Sequence, residues 1–450
     1  MSPVVRRQGK VMRLAFPIML GMLSQSVLNL IDAALVGHLG QEALAGVGIG
    51  GYAMFMMTAL VFGLSSSVQS QTAHASGVEK ACTDQPLTTQ PLRAGLMIGL
   101  AIGLPLSCLA WWQAPALIQL IAPSKEVTQI ALEYFRWRVV ALTVIALTLC
   151  LRGYWNGLQQ THLYLRIIVF VHVVNVALSA ALIYGVGWLP ALGVNGAAIG
   201  TTLSLLLGLF IWAVITWRQC PPLTRLLPPW HGVKVTLKLA LPHSLQQLWF
   251  AAGYVVLFWL LGQLGTSSVA VGHVLVNLSL LLILPGVGVG VAAMSLVGEA
   301  LGRDDQQAAH RWGIDALSVA GMLLTVLALP MLVMPEPILS IFFTDEALVQ
   351  LGRLPLQITG LMIVLDAAAL VLAQALMGAG AQRTVMLLTL GMQWLLFLPL
   401  AWWVGIWLGY GLVGVWLTQL FYRLLNSSSF LWVWQRRRWL AHGFKIDASK

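Results

Sequence analysis

The chain has 450 residues, of which 59% are hydrophobic and 9% charged, with a formal net charge of +10. A water-soluble domain carries roughly 25% charged residues, so this composition excludes a soluble enzyme or soluble binding module and points to a polytopic membrane protein. The basic balance suits either nucleic acid or a membrane, and the placement of Lys and Arg decides between them.

Twelve apolar stretches follow in chain order, near 14–36, 47–72, 92–113, 129–150, 163–185, 194–217, 238–261, 268–296, 312–334, 355–377, 384–406 and 411–434. Each is long enough to cross a bilayer. Backbone groups cannot stay unpaired in lipid, so each is expected to be a helix. The period-two alternation of a membrane barrel is missing. The basic opening (Arg6, Arg7, Lys10, Arg13) resembles a signal peptide. The apolar run behind it is too long for one and no small-residue cleavage site follows, so it reads as a retained first span.

An even number of spans puts both ends on one side. The loops on that side and the two ends hold nearly all the Lys and Arg. The opposite side holds only Lys125, Arg136, Arg138 and Arg353, while Arg423 lies inside the last span. That asymmetry places both termini in the cytoplasm. It also removes the nucleic-acid reading, because no loop gathers the charge into one patch. Trp111, Trp112, Trp188, Trp217, Trp402, Trp403, Trp432 and Trp434 fall near span ends, where amphipathic rings prefer to sit. Cys82, Cys108, Cys150 and Cys220 form no CxxC pair, so neither a metal site nor a disulfide framework is expected, and they read as small apolar packers.

The connection 218–237, with Pro221, Pro222, Pro228 and Pro229, reads as a cytoplasmic linker between two six-helix halves, 1–217 and 238–450. The halves match at a constant offset of 225 residues. Leu14-Ala15-Phe16-Pro17 answers Leu239-Ala240-Leu241-Pro242; Gly37, Leu39 and Gly40 answer Gly262, Leu264 and Gly265; Gly63 answers Gly288. The identities favour Gly and Pro, which mark backbone geometry. Six spans per copy give two copies of the same orientation, related by an axis along the membrane normal, an arrangement suited to alternating access. The fold class is therefore an all-α polytopic membrane protein of twelve transmembrane helices in two lobes.

Ionisable groups inside spans are functional candidates. Gln25, Asn29 and Asp32 form one stripe of the first span, after Pro17, which can bend the helix. A carboxylate in low dielectric is costly to ionise and can exchange a proton near neutral pH. It can equally hold Na⁺ with neighbouring oxygens, or sit at the outer interface facing water. Asp366, mid-way along the tenth span, either pairs with Arg423 or binds a cation. His172, Asn175 and Ser179 form a stripe of the fifth span, read as cavity-lining or as interhelical hydrogen bonding. Pro242, His243 and Gln247 open the seventh span, where the latter two line a cavity or lie at the interface. Pro285-Gly286-x-Gly288-x-Gly290 reads as a hinge or a close-packing face, since no strand precedes it to make a nucleotide loop. The charges around Glu79, Lys80, Glu299 and Arg303 read mostly as solvated loop charges. No Walker motif exists, leaving an ion gradient as the energy source.

Asn29-Leu-Ile-Asp32-x-x-x-Val-Gly37-His-Leu-Gly40, Ala43-Leu-Ala-Gly46, Gly193-Val-Asn-Gly196-Ala-Ala and Ser295-Leu-Val-Gly-Glu-Ala-Leu-Gly302, with the twelve spans and their repeat, resemble the multidrug and toxic compound extrusion (MATE) family over essentially the whole chain. The resemblance implies a V-shaped pair of lobes that exports amphipathic, often cationic compounds in exchange for H⁺ or Na⁺. It implies a monomer in the bacterial inner (cytoplasmic) membrane with no other cofactor. The family's first-helix coupling acid maps onto Asp32. The fifth-helix Asn-x-x-x-Asp of some members maps onto Asn175 and Ser179, so the acid there is missing. The tenth-helix Asp of NorM-like members maps onto Asp366, whereas their seventh-helix Glu falls near Phe250, leaving a second-lobe Na⁺ site incomplete. Proton coupling through Asp32 is the resulting expectation, with Na⁺ at Asp32 or Asp366 as the alternative. Two other functions compete. A lipid-linked precursor flippase would want several cavity cations for a pyrophosphate, and a membrane-embedded transferase would want clustered acids or a sizeable extramembrane domain.

Overall fold

The structure is a computed structural model and describes residues 3–82, 87–121, 124–187, 190–220 and 228–442. Every regular element among them is helical. In chain order these are α1 (Pro3–Gly37), α2 (Gln41–Cys82), α3 (Thr89–Gln119), α4 (Lys125–Val139), α5 (Leu142–Gly157), α6 (Thr161–Tyr184), α7 (Val194–Gln219) and α8 (Trp230–Gln263). They continue with α9 (Thr266–Gly302), α10 (Gln306–Val333), α11 (Pro335–Leu339), α12 (Glu346–Gly378), α13 (Gln382–Leu390), α14 (Leu398–Trp402) and α15 (Gly411–Gln435). Two π-helical turns, Gly391–Phe397 and Trp403–Trp407, join α13 and α14 into one span. Among the described residues ten helices are long and apolar enough to cross a membrane, and α4 with α5 makes an eleventh span bent by 46°. The helix α15, with Arg423 inside it, completes twelve.

Exposed side chains on these helices are apolar where a soluble protein would place charges: Val173, Phe210, Met322, Val326, Val333 and Leu395 are all more than half exposed. Such a surface is stable only against lipid. The exposed Trp111, Trp112, Trp217, Trp402, Trp403 and Trp432 fit an interfacial belt. Trp434 does not: it is buried, stacked on Trp439 with ring centroids 4.3 Å apart, and anchors the C-terminal turn. Trp188 lies outside the described residues.

The chain divides into two compact units, Leu20–Ser244 and Met1–Met19 with Leu245–Lys450. The cuts fall inside α1 and α8 rather than in 218–237. Of that segment 221–227 lies outside the described residues, and Trp230 onward is already helix. Hydrogen bonds explain the position of the cuts. The start of α8 is tied to α2: Ser67 Oγ donates to the Thr236 carbonyl at 2.8 Å, Gln71 Nε2 donates to Thr236 Oγ1 at 3.0 Å, and the Gly63 N–H donates to Ser244 Oγ at 3.0 Å. His243, buried with Nδ1 2.6 Å from Ser66 Oγ, belongs to this packing.

The second unit repeats the device with the start of α1. Met19 packs on Gly288, where a Cβ would meet the Met19 nitrogen at 3.3 Å. At the matching Gly63 a Cβ would meet Ser244 Oγ at 2.8 Å. Both contacts require glycine for close approach, and they occupy equivalent positions of the internal repeat. Pro17 and Pro242 each lie two residues before a unit boundary, inside continuous helices. The helix α9 likewise runs unbroken through Pro285. A Cβ at Gly290 would meet the Leu370 carbonyl at 2.9 Å, so that glycine run is a close-packing face.

Two contacts fasten the first turns of α1. Arg7 Nε donates to Asp315 Oδ2 of α10 at 2.5 Å, and Lys10 Nζ lies 5.3 Å from the Trp312 ring centroid. Asp315 is 6% exposed, so removing Arg7 strands a buried carboxylate. Arg7→Met is expected to destabilise the purified protein by about 1–3 kcal/mol, read as a lower midpoint of thermal unfolding, and Arg6→Met, which makes no such pair, serves as the control. Glu299 also departs from a solvated loop charge: it is 5% exposed and accepts from Arg303 one turn on.

Candidate functional site

In the unit Leu20–Ser244 the polar stripe of α1 faces α6. Ser24 Oγ is hydrogen-bonded to His172 Nδ1, and His172 Nε2 lies 3.1 Å from Gln25 Oε1. Gln25 Nε2 in turn donates to Asn29 Oδ1 at 3.1 Å. With Ser24 donating to Nδ1 and Nε2–H donating to Gln25, a neutral imidazole satisfies every partner. The result is a directed chain, Ser24 to His172 to Gln25 to Asn29, one turn short of Asp32. Further out, Tyr184 Oη donates to the Leu35 carbonyl at 2.7 Å and closes α6 on α1.

Asp32 is half-buried, and its Oδ1 atom is buried without a hydrogen-bond partner. Buried polar atoms are nearly always satisfied, and an exception asks for a reason. The cation that acts electrostatically on this carboxylate is Arg138 of α4. Arg138 carries its own buried orphans, Nε and Nη1.

The expected stripe of α6 splits between two neighbours. His172 turns to α1, as described. Asn175 turns to α7, where its Nδ2 donates to Ser204 Oγ at 3.1 Å; Ser179 lies beside it, 3.5 Å from Asn175 Oδ1. A Cβ at Gly200 would meet Ser179 Oγ at 2.8 Å, so this pair seals α6 on α7. The contacts join His172, Gln25 and Asn29 into one group, while Asn175 and Ser179 form another.

The second unit holds its own charge centre. Asp366 of α12 is 3% exposed and its Oδ2 accepts from Arg423 Nη1 of α15. Of the two roles open to Asp366, the pair with Arg423 is the one present. A small pocket beside it is lined by Arg423, Tyr254, Tyr422, Gln393 and Gln419. Gln393 sits on the first π-helical turn, a distortion frequent at functional sites, and its Nε2 donates to the Phe250 carbonyl of α8 at 3.2 Å. Among the described residues no group of three or more His, Cys, Asp or Glu side chains gathers that could hold a metal.

By sequence Arg138 falls among the outer-side charges. It lies well inside the fourth span, one turn after Tyr134, and only its depth within that span signalled a role.

Comparison with known proteins agrees with this architecture. The MatE family model matches residues 17–181 and 242–403. The chain is 29% identical over 422 residues to a probable multidrug resistance protein NorM of Bradyrhizobium diazoefficiens, covering 91% of this chain and 89% of that protein. It is 26% identical to the multidrug resistance protein PmpM of Pseudomonas aeruginosa, over 88% of this chain and 84% of that one. A solved outward-facing multidrug resistance MATE family transporter superposes with a TM-score of 0.87 at 22% identity, covering 97% of both chains. A MATE in complex with MaL6 gives 0.86 at 23% identity. At such identities the structural likeness carries the fold.

Proposed function

The chain belongs to the MatE family, and from that premise we propose that it exports amphipathic, often cationic small molecules in exchange for protons, with Asp32 as the coupling acid. It is a membrane transporter and not an enzyme. Relatives named as multidrug resistance proteins support the breadth of cargo.

The single observation that carries proton coupling is the state of the oxygens near Asp32. A sodium ion needs several oxygens around it, whereas a proton needs only the carboxyl. The amide oxygens on the same stripe are already engaged, Gln25 Oε1 by His172 and Asn29 Oδ1 by Gln25. Asp32 Oδ1 is buried without a partner. The missing acid at Ser179 removes a second carboxylate that Na⁺ would use. At Asp366 the place of an external cation is taken by the guanidinium of Arg423.

Ionised Asp32 attracts the cation of the cargo from the cytoplasmic side. A proton arriving from outside neutralises the carboxylate, the attraction is lost, and the cargo leaves outward. The helix that carries Asp32 in one compact unit begins in the other, which holds its residues from Pro3 to Met19. A change at Asp32 is thus passed along one continuous helix. The protein works as a monomer in the bacterial inner membrane with both ends in the cytoplasm, in line with the placement of its Lys and Arg.

Everted membrane vesicles bathed in a fluorescent aromatic cation test the reading. Accumulation is expected under an acid-inside pH gradient and not under a Na⁺ gradient alone. Accumulation driven by Na⁺ at constant pH overturns the proton assignment, and accumulation under neither gradient overturns efflux itself.

A further inference from the structure

We propose that Arg138 is a cargo-reading residue: together with Asp32 it forms a two-charge site in the first unit that selects compounds carrying a carboxylate beside their ammonium or iminium group. This rests on the efflux reading above and names the substrate class the same site prefers.

The placement follows from helix register. Tyr134 of α4 packs with Leu35, Val36, Ile183 and Val47 in one apolar cluster. The helices α1 and α4 run in opposite senses across the membrane. One turn inward from that cluster therefore brings position 32 on α1 beside position 138 on α4, since residues four apart share a face. The charge of Arg138 is accordingly the one that acts on Asp32.

The two groups are near enough to feel each other, yet no hydrogen bond joins Asp32 Oδ1 to Arg138 Nε or Nη1; all three atoms are buried and unpartnered. A purely structural ion pair would close this gap, as Arg423 does with Asp366. Glu133, the carboxylate closest to Arg138 in sequence, accepts from Gln129 at 2.6 Å through Oε1 and from Asn195 at 2.9 Å through Oε2. The neighbouring Arg136 lies over the Trp111 ring at 5.1 Å and points its charge elsewhere. What satisfies a half-buried carboxylate and a half-buried guanidinium held apart is a ligand with both complementary charges: its cation on Asp32 and its carboxylate on the planar fork of Arg138. The exposed Tyr184 ring, fixed to the Leu35 carbonyl, offers an aromatic wall at the same level of α1.

The test uses two probes that differ in one group, an aminoxanthylium dye with a free benzoate and the methyl ester of the same dye. Binding of each to the full-length protein in lipid nanodiscs is followed by fluorescence anisotropy at neutral pH. Wild type is expected to bind the acid more tightly than the ester by about ten-fold or more. Arg138→Met is expected to abolish that preference, bringing the ratio of acid to ester affinity down to about one. Arg138→Lys, which keeps the charge and loses the fork, restores part of it. Asp32→Asn weakens both dyes. Equal binding of acid and ester by wild type overturns the proposal without any variant, so it stays testable even if Arg138→Met fails to fold. Equal loss of both dyes in a folded Arg138→Met assigns that residue to packing and also overturns it. Tight binding of the ester with no preference leaves efflux standing and removes only the carboxylate specificity, whereas binding of neither dye removes both.

Discussion

Asp32→Asn is expected to abolish gradient-driven export while leaving the fold intact. Asparagine keeps the shape of the side chain and removes the group that alternates between charged and neutral. The carboxylate has a buried Oδ1 with no partner, so its native interactions do little to hold the bundle together. Exchanging a charge for a neutral amide at such a place relieves desolvation, and thermal stability is expected to stay level or rise. Coupling free energies of about 1–3 kcal/mol correspond to roughly 5–150-fold effects, and here the whole coupling site is lost. Accumulation in everted vesicles should therefore fall at least about ten-fold and lose its dependence on the pH gradient. Export by Asp32→Asn that still follows the pH gradient would place the coupling acid elsewhere. A variant that fails to fold would instead give Asp32 a structural role.

The parts of the molecule that were legible in the sequence are those written in hydropathy and in small residues. Twelve apolar runs mark twelve spans because lipid leaves the backbone no alternative to the helix. The pairing of Gly63 with Gly288 and of Pro17 with Pro242 marks the repeat because those residues fix close approach and backbone geometry. The break between α4 and α5 was not legible: it falls at Val140 and Ala141, neither of which breaks helices. Nor was the exchange of helix starts between units. A linker rich in proline marks where the chain can turn, whereas the unit boundary is set by hydrogen bonds such as Ser67 to Thr236 that join residues far apart in sequence. The acid on the first span could be singled out because a lone carboxylate in an apolar run needs a reason. Its own stripe, with Gln25 and Asn29, was legible too, but not which side chains of other helices meet it. Helical period put His172, Asn175 and Ser179 on one stripe, yet such a stripe is wide enough to touch two helices. His172 meets α1 and Asn175 meets α7. Arg138 was hidden by a charge count that assigns sides without depth.

The pair Asp366 and Arg423 allows a second test, in which two harmful substitutions are expected to cancel. Each partner is buried: Asp366 is 3% exposed, and the Arg423 side chain is 14% exposed. Removing one partner of a buried pair leaves an uncompensated charge and costs about 3–5 kcal/mol, whereas replacing both with apolar groups of similar volume is often neutral. Asp366→Leu and Arg423→Met alone should each lower folded yield and the unfolding midpoint in detergent sharply, and the double variant should recover most of both. The charge balance of the unit makes the functional outcome equally sharp. If Arg423 is the permanent cation of Asp366, the double variant keeps export driven by the pH gradient, because the proposed proton site is Asp32 on α1. A folded double variant without coupled export would show that Asp366 releases Arg423 during the cycle and shares in the coupling. Gln393 and Gln419, whose Oε1 atoms are buried without partners, line the pocket beside Arg423. They would then be the groups positioned to receive the freed guanidinium.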